Sequence, residues 1–191
     1  MHKGGKEKLP QNGIGKIAIR LFHHQDMPKG GTIAQKGVII LGLAAFMHPF
    51  WQAMTGSADA QLAAHAEKAE KELAYHIRHT GEWVIRLGDG TAESASRMQD
   101  ALGALSPFAG EMFEQDTTST ALAESGILPD MAAVQSRFDH IVADTLRAAT
   151  LPAFAPEFAH SGGRQGRHTE YLGHLLAELQ FLQRAYPGQR W

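Results

Sequence analysis

Four stretches between residues 57 and 186 repeat apolar positions at the three- and four-residue spacing that is typical of helices with one buried face. In the first, from Ser57 to Leu87, the following small or apolar residues share a face: Leu62, Ala66, Ala69, Leu73, Ile77, Thr80, Val84 and Leu87. Charged residues share the opposite face: Glu67, Lys71, Arg78 and Glu82. We expect Ser57 or Asp59 to cap this helix, Trp83 to lie in the core, and Gly88-Asp89-Gly90 to end the helix with a C′ glycine and a tight turn.

The other three stretches predict helices that complete a bundle. The second helix is expected from Ala92 to Glu114 with a kink at Pro107, and its inward residues are Met98, Leu102, Leu105, Ala109, Met112 and Phe113. After a short helix over 118–125, the third runs from Asp130 to Ala149, with inward residues Val134, Phe138, Ile141, Val142 and Leu146. A Pro/Gly-rich loop over 151–166 leads to the last helix, which spans 169–186. No strand pattern competes, so the sequence predicts an all-α helical bundle.

The first 50 residues differ from the rest and are predicted to form a separate segment, 1–50, before a helical domain, 51–191. Residues 1–36 hold seven Lys/Arg and two acidic residues, and no sustained period precedes Thr32. Residues 38–54 are apolar, yet a membrane span needs about 20 such residues. His48 and Pro49 interrupt this run. We therefore expect a buried helix that is kinked near Pro49.

Composition narrows the function classes. The 191 residues carry a net charge of −2, which gives no general attraction to nucleic acid or to an anionic membrane. The chain contains no cysteine, which excludes disulfides, thiolate metal sites and cysteine nucleophiles, and which is compatible with a cytoplasmic location. Histidine and carboxylate side chains are the metal ligands that remain.

Histidines and carboxylates one turn apart are the candidate metal ligands. On the first helix an arc of about 60° holds four of them: His65, Glu72, His76 and His79. Glu72 and His76 are four residues apart, as are Glu170 and His174 on the last helix. A di-iron site in a bundle core instead requires Glu-x-x-His on two helices. The Glu-x-x-His spacing occurs once, at 157–160 in the loop. Glu72, His76, Glu170 and His174 are therefore candidate ligands of a mononuclear ion. The alternative is that they form a polar surface stripe.

Two further features each have a structural and a functional interpretation. The turn Gly162–Arg167 is basic and glycine-rich, so it could bind a phosphate, although a loop that enters a helix is the plainer explanation. His140 and Asp144 are one turn apart and are expected to form a surface contact. No nucleotide-binding or hydrolase motif is present.

Three segments resemble a known family: 72–79, 83–91 and, most specifically, 168–184. They resemble the PaaC family, the C subunits of the bacterial phenylacetyl-CoA ring epoxidase of phenylacetate degradation, over about Trp51 to Trp191. The resemblance implies a ferritin-like bundle that has lost its iron ligands and supports a catalytic di-iron subunit in a cytoplasmic complex with bridging and reductase subunits. It implies no catalytic residue and no cofactor in this chain. The matching residues Glu72, His76, Glu170 and Glu178 then serve as scaffold or interface.

Residues 1–50 depart from the family pattern, which predicts a truncated or altered start and a bundle that is incomplete on its N-terminal side. Exposed inward faces would then favour self-association. Two alternatives remain open at this point. The chain could be a metal-dependent ferritin-like oxidase that acts alone, or a degenerate fragment of the structural subunit.

Overall fold

The computed structural model describes residues 32–155, 158–168 and 171–189, without the side chain of Tyr171. Its α-helices are α1 (Ile33–Met54), α2 (Ala60–Gly88), α3 (Ala92–Leu105), α4 (Thr117–Glu124), α5 (Met131–Ala148), α6 (Tyr171–Leu179) and α7 (Phe181–Ala185). Short 3-10 helices span Ser106–Phe113 and Gly163–Gln165. Helices α1 to α5 belong to one compact unit, Gly31–His168, and α6 and α7 belong to a second. Strands are absent from the described ranges, and the all-α prediction is confirmed.

Helix α1 begins earlier than the sequence pattern predicts. A capping box stabilises its start. The backbone amide of Gln35 donates to the Thr32 hydroxyl at 3.2 Å, and the backbone amide of Thr32 donates to the side-chain Oε1 of Gln35 at 2.9 Å. The helix continues through Pro49 to Met54 and packs against α2, α3 and α5. Within the described residues it is the one helix that is long and apolar enough to cross a membrane, by length and composition alone. Its packing favours a core helix of the bundle.

The buried face of α2 is the predicted one. Each of its eight residues is buried or half-buried, and the four charged residues expected on the opposite face are exposed. Asp59 caps the helix, because its carboxylate accepts from the amides of Gln61 and Leu62 at 2.9 and 3.1 Å. The Ser57 hydroxyl instead donates to the Ile127 carbonyl at 2.8 Å, and so ties the start of α2 to the loop before α5.

Gly88-Asp89-Gly90 ends α2 as predicted, with Asp89 as the C-cap and Gly90 after it, whereas Gly88 itself is fixed by packing. Gly88 is the last residue of α2 and is buried, and the glycines with positive φ in the described segments lie elsewhere. A Cβ atom at this position would lie 2.5 Å from the Ala149 carbonyl oxygen and 2.9 Å from Cγ of Leu151. Glycine is therefore required because the end of α2 approaches the end of α5 closely.

The predicted helix 92–114 is interrupted next to Pro107, where a kink is expected, and its second half is not α-helical. Helix α3 ends at Leu105, and the chain continues as the 3-10 helix Ser106–Phe113. Pro107 explains the change, because it has no amide to donate and its ring disfavours another α-helical turn before it. The predicted inward residues are nevertheless buried or half-buried across both pieces.

Helix α5 supplies the largest fully buried side chain of the core, Phe138. Its ring lies edge-on to Phe113 of the 3-10 helix at 5.2 Å and to Phe154 of the following loop at 6.0 Å. Phe113 in turn lies edge-on to Phe46 of α1 at 5.3 Å. This aromatic chain joins the first helix, the 3-10 segment, α5 and the loop after it. The predicted inward residues of α5 are all buried or half-buried.

The last predicted helix, 169–186, is interrupted. Helix α6 ends at Leu179, Gln180 leaves helical geometry with φ −98° and ψ 3°, and α7 continues to Ala185. The predicted stop at Pro187-Gly188 is confirmed, because α7 ends at Ala185 and Tyr186 has left helical geometry with φ −130° and ψ 69°. The predicted cap, Thr169, lies outside the described residues, as does most of segment 1–50. The division at residue 50 stays a prediction, although α1 is continuous across it.

Candidate functional site

The first candidate pair, Glu72 and His76, lies on the outer face of α2. Oε1 of Glu72 is 3.8 Å from Nε2 of His76, and the side chains are 62% and 42% exposed. The His76 ring also contacts the neighbouring Tyr75 ring edge-on. A metal site in a bundle core needs carboxylates that project inward from facing helices. This pair projects to solvent and therefore does not fit a di-iron centre.

Only one residue of the second candidate pair, His174, is among the described residues. Glu170 lies outside the described residues, and His174 is exposed on α6, as is Glu178. In ranges 32–155, 158–168 and 171–189, His, Asp and Glu side chains form no group of three or more that could hold an ion. The set Glu72, His76, Glu170 and His174 therefore stays a prediction.

In the Glu-x-x-His segment at 157–160, the described residues make packing contacts. Glu157 lies outside the described residues. His160 stacks on the Phe108 ring at 4.3 Å with an angle of 17° between the planes, and Phe158 meets it edge-on at 5.2 Å. The His160 amide donates to the Pro107 carbonyl at 2.8 Å. These contacts hold the loop against the 3-10 helix Ser106–Phe113.

The structure brings together a half-buried histidine–carboxylate pair that sequence reasoning missed. Nε2 of His48 on α1 lies 3.5 Å from Oε1 of Glu70 on α2, and the side chains are only 16% and 28% exposed. Nδ1 of His48 is buried and has no hydrogen-bond partner among the described residues. The two residues are on different helices, so no local spacing signals the pair. The only sequence signal is a histidine inside an apolar run.

The glycine-rich turn is already occupied by carboxylates of the chain itself. The Gly162 amide donates to both carboxylate oxygens of Glu114, at 3.1 and 3.2 Å, and Gly162 has a positive φ of 91°. Nη1 of Arg164 lies 3.6 Å from Oδ2 of Asp116. The donors that could meet a phosphate thus hold two acidic side chains, which favours the plain reading of a loop before a helix.

Asp116 is the one described group whose titration is clearly shifted. The hydrogen bond from the Ser119 amide, followed by the Ser119 hydroxyl and the nearby Arg164 guanidinium, lowers the pKa of Asp116. Asp116 also caps α4, and its Oδ1 accepts from the Ser119 amide at 2.7 Å. The carboxylate is therefore stabilised as a helix cap rather than as an acid–base catalyst.

The outer face of α2 exposes aromatic side chains. Trp83 is 45% exposed, so the prediction that it lies in the core is wrong. The Arg86 guanidinium covers its ring at 5.6 Å, and Arg78 covers Tyr75 at 5.8 Å. Tyr75 also stacks on His79 at 5.6 Å. The expected surface pair on α5 is confirmed, with 3.2 Å between Nε2 of His140 and Oδ2 of Asp144.

Comparisons with known proteins point to one family. A family model described as phenylacetic acid catabolic protein matches residues 18–191. Over 135 residues the chain is 42% identical to the C subunit of 1,2-phenylacetyl-CoA epoxidase from Escherichia coli, which is 71% of this chain and 54% of the relative. The chain thus spans about half the length of that relative. The family match begins well before residue 51, so it includes much of the segment that is expected to depart from the family pattern.

Proposed function

Because the chain belongs to the phenylacetic acid catabolic protein family, we propose that it is a non-catalytic structural subunit of a complex that epoxidises the aromatic ring of phenylacetyl-CoA. In this role it supports the catalytic di-iron subunit, and iron is bound by that partner and not by this chain. Bridging and reductase subunits complete the complex, and its location is the cytoplasm. The named relative is itself a subunit of an epoxidase, which supports a role within a complex.

The position of Glu72 carries the proposal. A di-iron subunit needs inward carboxylates paired with histidines at three-residue spacing. Glu72 is instead four residues from its histidine and is mostly exposed on the outer face of α2. Much of the buried face of α2 consists of small or apolar residues such as Ala66, Ala69 and Leu73. This helix lacks the Glu-x-x-His pair that a di-iron site would need, which supports the proposal.

The test is reconstitution with the catalytic di-iron subunit. We expect the full chain to co-purify with that subunit and to be required for epoxidation of phenylacetyl-CoA. Replacing Glu72→Ala and His76→Ala together should leave the iron content and the activity of the complex within about twofold, since neither side chain contacts iron. A matched control replaces the pair on α5, His140→Ala with Asp144→Ala, which has the same chemistry and spacing.

Two results would contradict the proposal. The first is stoichiometric iron on the chain alone. If the Glu72/His76 double variant loses this iron and the α5 control keeps it, the chain is a metal-dependent oxidase that acts alone. Failure of the folded chain to bind the catalytic subunit would favour the degenerate-fragment reading. Metal analysis and size-exclusion chromatography measure the two outcomes separately.

A further inference from the structure

The exposed face of α2 carries a charge pattern that is complementary to itself. Tyr75 lies opposite the middle of the buried face, and it is 50% exposed. Three residues before it is Glu72, and three residues after it is Arg78. Seven residues before it is Lys68, and seven residues after it is Glu82. Each of these four charges is therefore mirrored about Tyr75 by a charge of the opposite sign.

These side chains share one accessible surface. At 100° per residue, all four charged residues lie within about 60° of the direction of Tyr75. All four are exposed, and α1, α3 and α5 pack against the other side of α2. The Arg78 guanidinium already lies over the Tyr75 ring at 5.8 Å, next to the centre of the pattern.

A two-fold axis converts this mirrored pattern into pairs of opposite charge. When two copies of a helix pack antiparallel about an axis through Tyr75, a residue a given number of positions after Tyr75 meets the residue the same number before it. Arg78 of each copy then faces Glu72 of the other, and Glu82 faces Lys68. Each pair occurs twice, and the two Tyr75 rings meet at the axis. A third mirrored pair, Lys71 with His79, adds no attraction.

We propose that this face binds a second copy of the same chain, in an antiparallel α2–α2 contact centred on Tyr75. The contact extends over Lys68 to Glu82, which is about 21 Å of helix. A single helix pair buries less area than a standard interface, so the dimer is weak and depends on concentration. The proposal does not rest on the proposed function. It also differs from self-association through inward faces, because the contact uses the polar outer face.

Charge reversal and exchange test the contact on the full-length chain. Arg78→Glu places two acidic side chains opposite each other in both copies of the 72–78 pair, and Glu72→Arg does the same with two basic ones. Each single variant should weaken the dimer by at least about tenfold. The exchange variant, with both replacements, restores opposite charges and should dimerise like the wild type. Sedimentation equilibrium over a concentration series up to about 100 µM measures all of them.

A mixture of the two single variants gives the sharpest test. In a mixed pair, each contact again joins opposite charges, so equal amounts of the two variants should dimerise although neither does so alone. A control variant, Arg97→Glu, makes the same charge change on the exposed face of α3 and should leave the dimer unaffected. Circular dichroism checks that each variant keeps its helices, which is expected because all three positions are exposed.

The proposal is overturned if the wild-type chain stays monomeric over the whole series, or if the single variants dimerise as well as the wild type. It is equally overturned if the control weakens the dimer as much as Arg78→Glu does. If the wild type is monomeric and Arg78→Glu instead abolishes binding of the catalytic subunit, the face belongs to that partner. The proposed function would stand in that case, so the two failures are distinguishable.

Discussion

At the scale of single residues, Gly88 shows how closely two helices of the bundle approach. The end of α2 lies against the Ala149 carbonyl and the Leu151 side chain, and the space between them admits no Cβ atom. Ala149 and Leu151 are themselves buried, so neither neighbour can move towards solvent. Small changes at this position therefore act on two helices at once.

We expect Gly88→Ala to destabilise the fold by about 1–3 kcal/mol, because the added methyl group forces the backbones apart. Gly103→Ala on α3 is the matched control, since a Cβ there meets nothing within 4 Å. That change should stabilise the chain by up to about 1 kcal/mol, because alanine is the better helix former. Urea denaturation of both variants measures the difference. Equal effects of the two substitutions would contradict the close approach at Gly88.

At the scale of elements, a helix cap can also connect neighbouring segments. Asp116 caps α4 and also contacts Arg164 of the loop before α6. Its pKa is lowered in the folded chain, so folding favours the ionised carboxylate. The stabilisation is therefore present above the ordinary aspartate pKa of about 3.9 and is lost as the pH falls through the folded value.

Asp116→Ala should accordingly lower the stability of the chain at pH 7, and the difference from the wild type should shrink as the pH falls below about 4. Urea midpoints of both proteins between neutral and acid pH measure this difference. Other carboxylates titrate in both proteins and cancel in the comparison. A difference that is the same at all pH values would show that the lost cap acts without its charge.

The elements also show what the sequence could and could not predict. The buried faces of α2 and α5 follow directly from apolar spacing, because a helix face packs as a unit. The place of Trp83 near the apolar edge of its helix predicts a core residue, yet the neighbouring arginine covers its ring and lets it remain half-exposed. No glycine or proline predicts the helix break at Gln180, and nothing in the structure explains it.

Contacts between distant residues could not be predicted at all. His48 and Glu70 meet because α1 and α2 pack side by side, and their register depends on the whole interface. The hydrogen bonds from Gly162 to Glu114 join residues that are 48 positions apart. Local patterns do not encode such pairs, so they become visible only when the helices are placed.

At the scale of the whole molecule, the aromatic chain through Phe138 holds the unit Gly31–His168 together. Its members come from α1, the 3-10 helix, α5 and the loop after α5. Phe138 lies at the centre and is almost fully buried. Removing it takes a contact from several segments at once, and the cavity cannot be filled by one of them alone.

Phe138→Ala should destabilise this unit by about 3–5 kcal/mol, which approaches the whole stability of a small domain. Asp139→Ala, at the neighbouring exposed position of α5, is the control and should stay within about 0.5 kcal/mol of the wild type. Denaturation followed by circular dichroism measures both. A small effect of Phe138→Ala would show that the segments are held by other contacts.

The bond between the Gly162 amide and Glu114 has a further consequence for anions in solution. Glu114 is part of the same chain, so its carboxylate is present at an effective concentration in about the millimolar range at this amide. A free phosphate would have to displace the Glu114 carboxylate, which stays close because it is part of the same chain. Even a basic, glycine-rich turn is then insensitive to dilute phosphate, because a carboxylate of the same chain already accepts from its amide.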